Sequence, residues 1–187
     1  VDADFTSFTA GGNVLIPSIT APAGSRTINA LGAMSGIYYV GSGQDFATIT
    51  QAVNNLNSRG LSSTVTFLLT DTAYSSETYP VVVSNDVPGL EGGSYLIIKP
   101  APGVNVSITG LPPAKDNSIF KILGNNVTFD GSNLPGGSTR NLFINNIQRD
   151  TTNDGPRAIN IQSANSIPVN NISVKNCMLR VKAHYNI

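Results

Sequence analysis

Sugar-bond hydrolysis is the first chemistry to test for, because it needs only two carboxylates flanking one glycosidic bond. The only glutamates are Glu77 and Glu91, and both fall in turn-rich stretches. Asp130 stands between Phe129 and Gly131, the place of a turn aspartate, with no second acid beside it at strand spacing. Thiol chemistry fares no better. Cys177 needs a base, and the single histidine, His184, lies at the chain end. Alternation along Val174-Lys-Asn-Cys-Met-Leu179 directs Cys177 inward, as a buried core thiol. No catalytic or cofactor-binding residue is assigned.

Binding chemistry has more candidates. Asp150-Thr-Thr-Asn-Asp-Gly155 places Asp150, Asp154 and Gly155 at the first, fifth and sixth positions of a calcium loop. Thr152 holds the third position and Ile161 the twelfth, where a bidentate glutamate belongs. Asp150 and Asp154 are therefore weak Ca2+ candidates, and a solvated loop is the preferred reading. Gly41-Ser-Gly43 lacks the remaining residues of either phosphate-binding glycine motif and reads as a turn. Tyr38, Tyr39, Tyr74, Tyr79, Tyr95 and Tyr185 supply rings on which sugars could stack, but there is no Trp. Half-buried rings with wet hydroxyls are the preferred reading.

Composition narrows the partners. Of 187 residues, 40% are hydrophobic, enough for a continuous core. Only 12% are charged, against about a quarter in an average soluble domain, so Asn, Ser, Thr and Gly must cover the surface. Net charge is zero and the cations are scattered, which argues against nucleic acid. No apolar run reaches the ~18 residues of a membrane span. The chain begins at Val1, as a mature product or an excised fragment would.

The elements that would position these residues follow from a repeat. Asn126-Val-Thr-Phe-Asp-Gly-Ser132 is echoed by Asn105-Val-Ser-Ile-Thr-Gly110, Arg140-Asn-Leu-Phe-Ile-Asn-Asn146 and Asn171-Ile-Ser-Val-Lys-Asn176. Each is a short alternating run bounded by Asn or Gly. Such a strand cannot bury its inner face alone, whereas stacked copies can. The pattern predicts a parallel β-helix of about three rungs, with side-chain amides stacked at the strand ends. The strand candidates are 64–69, 80–83, 95–98, 104–108, 119–123, 127–129, 142–144, 158–161 and 172–174. The Asn-x-Ser/Thr triplets at Asn105, Asn126 and Asn171 fall in these strands and read as products of the repeat. One helix is predicted, N-capped by Asp45, with Phe46, Ile49, Val53 and Leu56 on one face and Gly60 as its C-cap. It precedes the repeated strands and is assigned as an N-terminal cap. Residues 1–36 read as an arm or the tail of a preceding domain, and residues 37–187 as the cap and first rungs. An antiparallel β-sandwich is the alternative.

The stretch from Tyr38 to Leu56, Tyr-Tyr-Val-Gly-Ser-Gly-Gln-Asp-Phe-Ala-Thr-Ile-Thr-Gln-Ala-Val-Asn-Asn-Leu, resembles the opening of right-handed parallel β-helix domains of the pectin-lyase-like fold. Ser63–Tyr74, Asn126–Ser132 and Val169–Cys177 are similar to rungs of secreted surface proteins of Bacteroidota. The resemblance implies an all-β, right-handed solenoid at the cell surface or outside the cell. The lack of convergent titratable groups favours a non-catalytic role in adhesion, polysaccharide binding or surface assembly. A carbohydrate-active enzyme whose site lies partly outside this stretch is the alternative. A component of a larger assembly, meeting other chains through its last rung, is a third reading. Asp71-Thr-Ala73 and Asp150-Thr-Thr152 also resemble the O-glycosylation acceptors of such proteins, making Thr72 and Thr151 candidate modification sites.

Overall fold

The structure is a computed structural model that describes residues 31–113, 116–149 and 155–182, together with two short strands nearer the N-terminus. Those strands, β1 (Phe8–Ala10) and β2 (Asn13–Leu15), pair antiparallel. They belong to a compact unit spanning Val1–Ala33, and Met34–Ile187 forms the other unit.

The second unit contains β3 (Met34–Val40), α1 (Ile49–Arg59), β4 (Leu61–Leu69), β5 (Ala73–Tyr74) and β6 (Val81–Val83). Next come β7 (Leu96–Pro100), β8 (Val106–Gly110), β9 (Ser118–Ile122), β10 (Val127–Asp130) and β11 (Leu142–Asn146). β12 (Arg157–Ile161), β13 (Ser173–Lys175) and β14 (Cys177–Val181) complete it. The strands form three sheets in the orders β13-β10-β7-β4-β3, β14-β11-β8-β5 and β12-β9-β6. Each turn of chain adds one strand to each sheet, which makes a parallel β-solenoid of about three turns. Every strand pair in this unit is parallel, so the antiparallel sandwich is excluded.

The register shows why these short strands are stable together. Phe67 lies beside Ile98, and Ile98 beside Phe129, on the inner face of the first sheet. Val106, Leu142 and Val81, Phe120 continue the lining on the other two sheets. All are nearly or wholly buried. Strands from successive turns thus bury one another's apolar faces, and Phe120 meets Phe129 across the core at 4.8 Å between ring centres.

Corners need tight backbone. Asn126, Asn171 and Asn176 take left-handed conformations (φ 56°, 58° and 55°), which Asn tolerates better than other residues with a side chain. The expected amide stacking is present: Asn171 Nδ2 donates to Asn126 Oδ1 at 2.8 Å, and Asn126 donates to the Leu90 carbonyl of the turn before. At the next corner Gly131 lies so close to Asn176 that an added Cβ would sit 1.8 Å from the Asn176 carbonyl oxygen. Only glycine fits there. β5 and β14 lie outside the strands expected from the repeat. β5 has two residues, and β14 follows β13 after the single corner residue Asn176, too abrupt a turn to show as a break in the apolar pattern.

The helix is where expected, but its start is corrected. Its N-cap is Thr48, whose hydroxyl accepts from Gln51 N, not Asp45. Asp45 instead accepts from Tyr39 N at 2.8 Å and pins the preceding turn. Phe46 stands outside the helix and packs with Tyr38 and Phe67. Ile49, Ala52, Val53 and Leu56 form the buried face, and Gly60 (φ 69°) closes the helix by donating to Leu56 O. A second capping group comes from far along the chain: Glu77 accepts from Ile49 N at 2.8 Å and Thr50 N at 2.6 Å. Asn57 donates to Val82 O and accepts from Ser84 N, so one side-chain amide satisfies the outer edge of β6 as a neighbouring strand would.

Truncating a core-facing ring tests the stacking. Phe129→Ala is expected to cost about 3–5 kcal/mol in urea unfolding, and Thr128→Ala, on the opposite face of β10, within about 0.5 kcal/mol.

Candidate functional site

Because side chains alternate along a strand, the same register that fills the core aligns the outward residues of the first sheet. Ile37, Thr66, Ile97, Thr128 and Ser173 form one row across five strands. Tyr39 pairs with Leu68, Leu68 with Lys99, and Asp130 with Lys175, which makes a second row. Lys99 joins its halves through an ion pair with Asp130. Tyr95 enters just ahead of β7, where its N–H donates to Thr64 Oγ1 at 3.3 Å. Ile37, Tyr39 and Tyr95 are 59%, 45% and 39% exposed. Sheet spacings put the two tyrosines about 16 Å apart on a diagonal, with Thr66 between them.

Asp130 lies in this face and is fully engaged. Asn176 Nδ2 donates to it at 2.9 Å and Ser132 N at 3.1 Å. Lys175 and Lys99 approach to 3.5 and 3.8 Å. Burial pushes the carboxyl pKa up, but the two hydrogen bonds and then the two ammonium groups outweigh it and hold it below its ordinary value. Its direct partners among the described residues are an amide, a backbone N–H and two ammonium groups, all of which favour the anionic carboxylate. The lysines were legible only after alignment: Ile98-Lys99, Phe129-Asp130 and Val174-Lys175 each place a charge directly after a sheet position.

The other candidates are dispersed. Glu77 is committed to the start of α1. Glu91 borders a shallow depression of about 300 Å³ with Asp86, Pro88 and Ile167. The half-buried Cys177 thiol is pushed up to about 11, by burial first, with the Gly131 N–H opposing and the Asp130 charge adding. Burial thus favours the protonated thiol at neutral pH. Among the described residues no group of three or more His, Cys, Asp or Glu could hold a metal ion. Asp150, Asp154, Thr151, His184 and Tyr185 lie outside the described residues. Thr72 is exposed, between β4 and β5. Asn126 is 4% exposed and Asn171 is bonded to it, as repeat positions would be.

The tyrosines divide by role. Tyr74 is buried, its hydroxyl donating to Val40 O and accepting from Thr70 N and Asp71 N. Tyr79 packs against Gly110, and burial, then the Glu77 charge, push its hydroxyl up to about 12. Tyr38 packs on Phe46 and Phe67. Among the described tyrosines only Tyr39 and Tyr95 are exposed.

The depressed Asp130 pKa fixes a sign. Its stabilising effect is present above the ordinary value of 3.8 and is lost as pH falls through the lower folded value. Asp130→Asn is expected to flatten the fall in urea midpoint between about pH 4 and pH 2 relative to the parent chain. An unchanged acid profile would show that Asp130 is not held as described.

No family model, no curated protein and no solved structure matches this chain.

Proposed function

We propose that this is a non-catalytic protein of the cell surface or extracellular space whose solenoid offers the outer face of its first sheet to a polysaccharide. The observation that carries this reading is the placing of Ile37, Tyr39 and Tyr95, all exposed, on one ordered face with the hydroxyls of Thr66, Thr128 and Ser173, beside an acid already engaged by four partners. Sugar rings have apolar C–H faces that stack on aromatic and aliphatic side chains, and hydroxyl edges that bond to Thr and Ser. The sparsely charged, amide-rich composition and the pectin-lyase-like opening at Tyr38–Leu56 support the extracellular placement. On this reading α1 caps the first turn, and affinity builds from many weak contacts along one extended ligand.

Assembly with other protein chains is a second reading. It is favoured by inward positions of the last strands, Ile161, Val174 and Leu179, at 47%, 40% and 51% exposure. Strand edges with apolar flanks are templates for pairing.

Affinity electrophoresis through gels containing plant and microbial polysaccharides tests the first reading, with reducing-end release measured in parallel. Retardation without release of sugar ends is expected. The double variant Tyr39→Ala/Tyr95→Ala is expected to weaken binding roughly 10-fold or more, at ~0.5–1.5 kcal/mol for each lost ring contact. Unaltered retardation in the double variant, or release of sugar ends, would overturn the reading.

A further inference from the structure

We infer that the ligand of this face is an uncharged polysaccharide, a neutral hexose or pentose chain and not a uronate or sulfated one. The inference rests on the proposed glycan-binding role and concerns the charge class of that glycan.

The charges on the face are arranged to cancel. Lys99 and Lys175 approach the same carboxylate, Asp130, from neighbouring strands, at 3.8 and 3.5 Å. The Lys99 and Asp130 side chains are 18% and 14% exposed, so they are largely withdrawn from solvent. Lys175, at 57%, is the more accessible cation and is already turned toward Asp130. An incoming carboxylate or sulfate would compete with Asp130 for its lysines while lying beside a like charge. It would have to break a bonded cluster to gain a partner. Recognition of anionic groups favours free, convergent cations, Arg forks above all, and neither outward row contains an arginine.

The rest of the face suits a neutral chain. The row Ile37, Thr66, Ile97, Thr128, Ser173 is wholly uncharged, and Tyr39 and Leu68 continue that character at the β3 end. Hydroxyls that both donate and accept alternate with apolar side chains at the spacing of the strands. A polymer with alternating apolar ring faces and hydroxyl edges matches that pattern without bringing a charge of its own.

The test compares xylan, hydroxyethylcellulose and galactomannan with polygalacturonate, alginate and chondroitin sulfate, using the 187-residue chain and microscale binding assays. At least one neutral glycan is expected to bind about 10-fold more tightly than any acidic one. Raising salt from about 0.05 to 0.5 M, where exposed charges are screened, is expected to change that affinity less than about 2-fold. Lys175→Gln, which removes the accessible cation, is expected to leave it within about 2-fold. Preference for an acidic glycan, falling with salt and with Lys175→Gln, overturns the inference and leaves the glycan-binding role standing. Equal binding of both classes also overturns it. Binding to none of the six overturns the role and the inference together.

Discussion

A short strand with one apolar face has nothing of its own against which to bury it. Every other feature of the solenoid unit follows from that deficit. The deficit is met only by strands from neighbouring turns, held in register so that inner residue lies on inner residue. Phe67, Ile98 and Phe129 are such a file, and all are fully buried. Because side-chain direction alternates, a slip of one residue in any turn would turn that file to solvent. Register is therefore the quantity the chain must protect. Its corners do so: Asn126 and Asn171 hydrogen-bond from one turn to the next, and Gly131 fits under the Asn176 carbonyl where no side chain could.

The same register creates the face proposed to bind sugar. No single local motif brings its residues together. Tyr39, Leu68, Lys99, Asp130 and Lys175 come from five strands and meet because inner residues beside them had to stack. A binding surface of this kind is a by-product of core packing, and it is ordered for that reason. Its side chains stand on strands instead of loops, so the proposed binding of an extended ligand would cost little ordering entropy.

The start of the coil shows a different solution to the same problem. The first strand of a stack has an unpaired edge, which water satisfies but other chains can also occupy. Here Asn57 from α1 bonds both neighbours of Val83, and Asp45 bonds Tyr39 N on β3. On β6 a side chain does the work of backbone, and on β3 Asp45 adds to the backbone bonds that Phe46 makes with Tyr39 and Gly41. Glu77 in turn holds the start of the helix. The helix and the first turns are thus joined by polar contacts spanning some 25 to 28 residues, besides the buried face of Ile49, Val53 and Leu56.

Sequence alone determined the class of fold. The alternation of apolar residues, the Asn and Gly at their boundaries and the recurrence of Asn126–Ser132 specified an all-β chain of short strands and favoured stacking, because period and burial are local properties of the chain, while the parallel pairing that excludes a sandwich is a tertiary fact. The helix body and its Gly60 terminus were legible for the same reason. Its true start was only half legible: Thr48-Ile-Thr-Gln51 carries the Ser/Thr-x-x-Glu/Gln pattern of a capping box, but Asp45 offered an equally good cap. What removed Asp45 from that role was a strand edge needing a partner, and what added Glu77 was a loop brought back by a full turn of the coil. The tertiary structure likewise decided which tyrosines face water, and that Asp130 is held between two lysines from neighbouring turns. Those outcomes depend on the number of residues in each turn, and it is closure of the coil, not the pattern within a strand, that sets which distant side chains become neighbours.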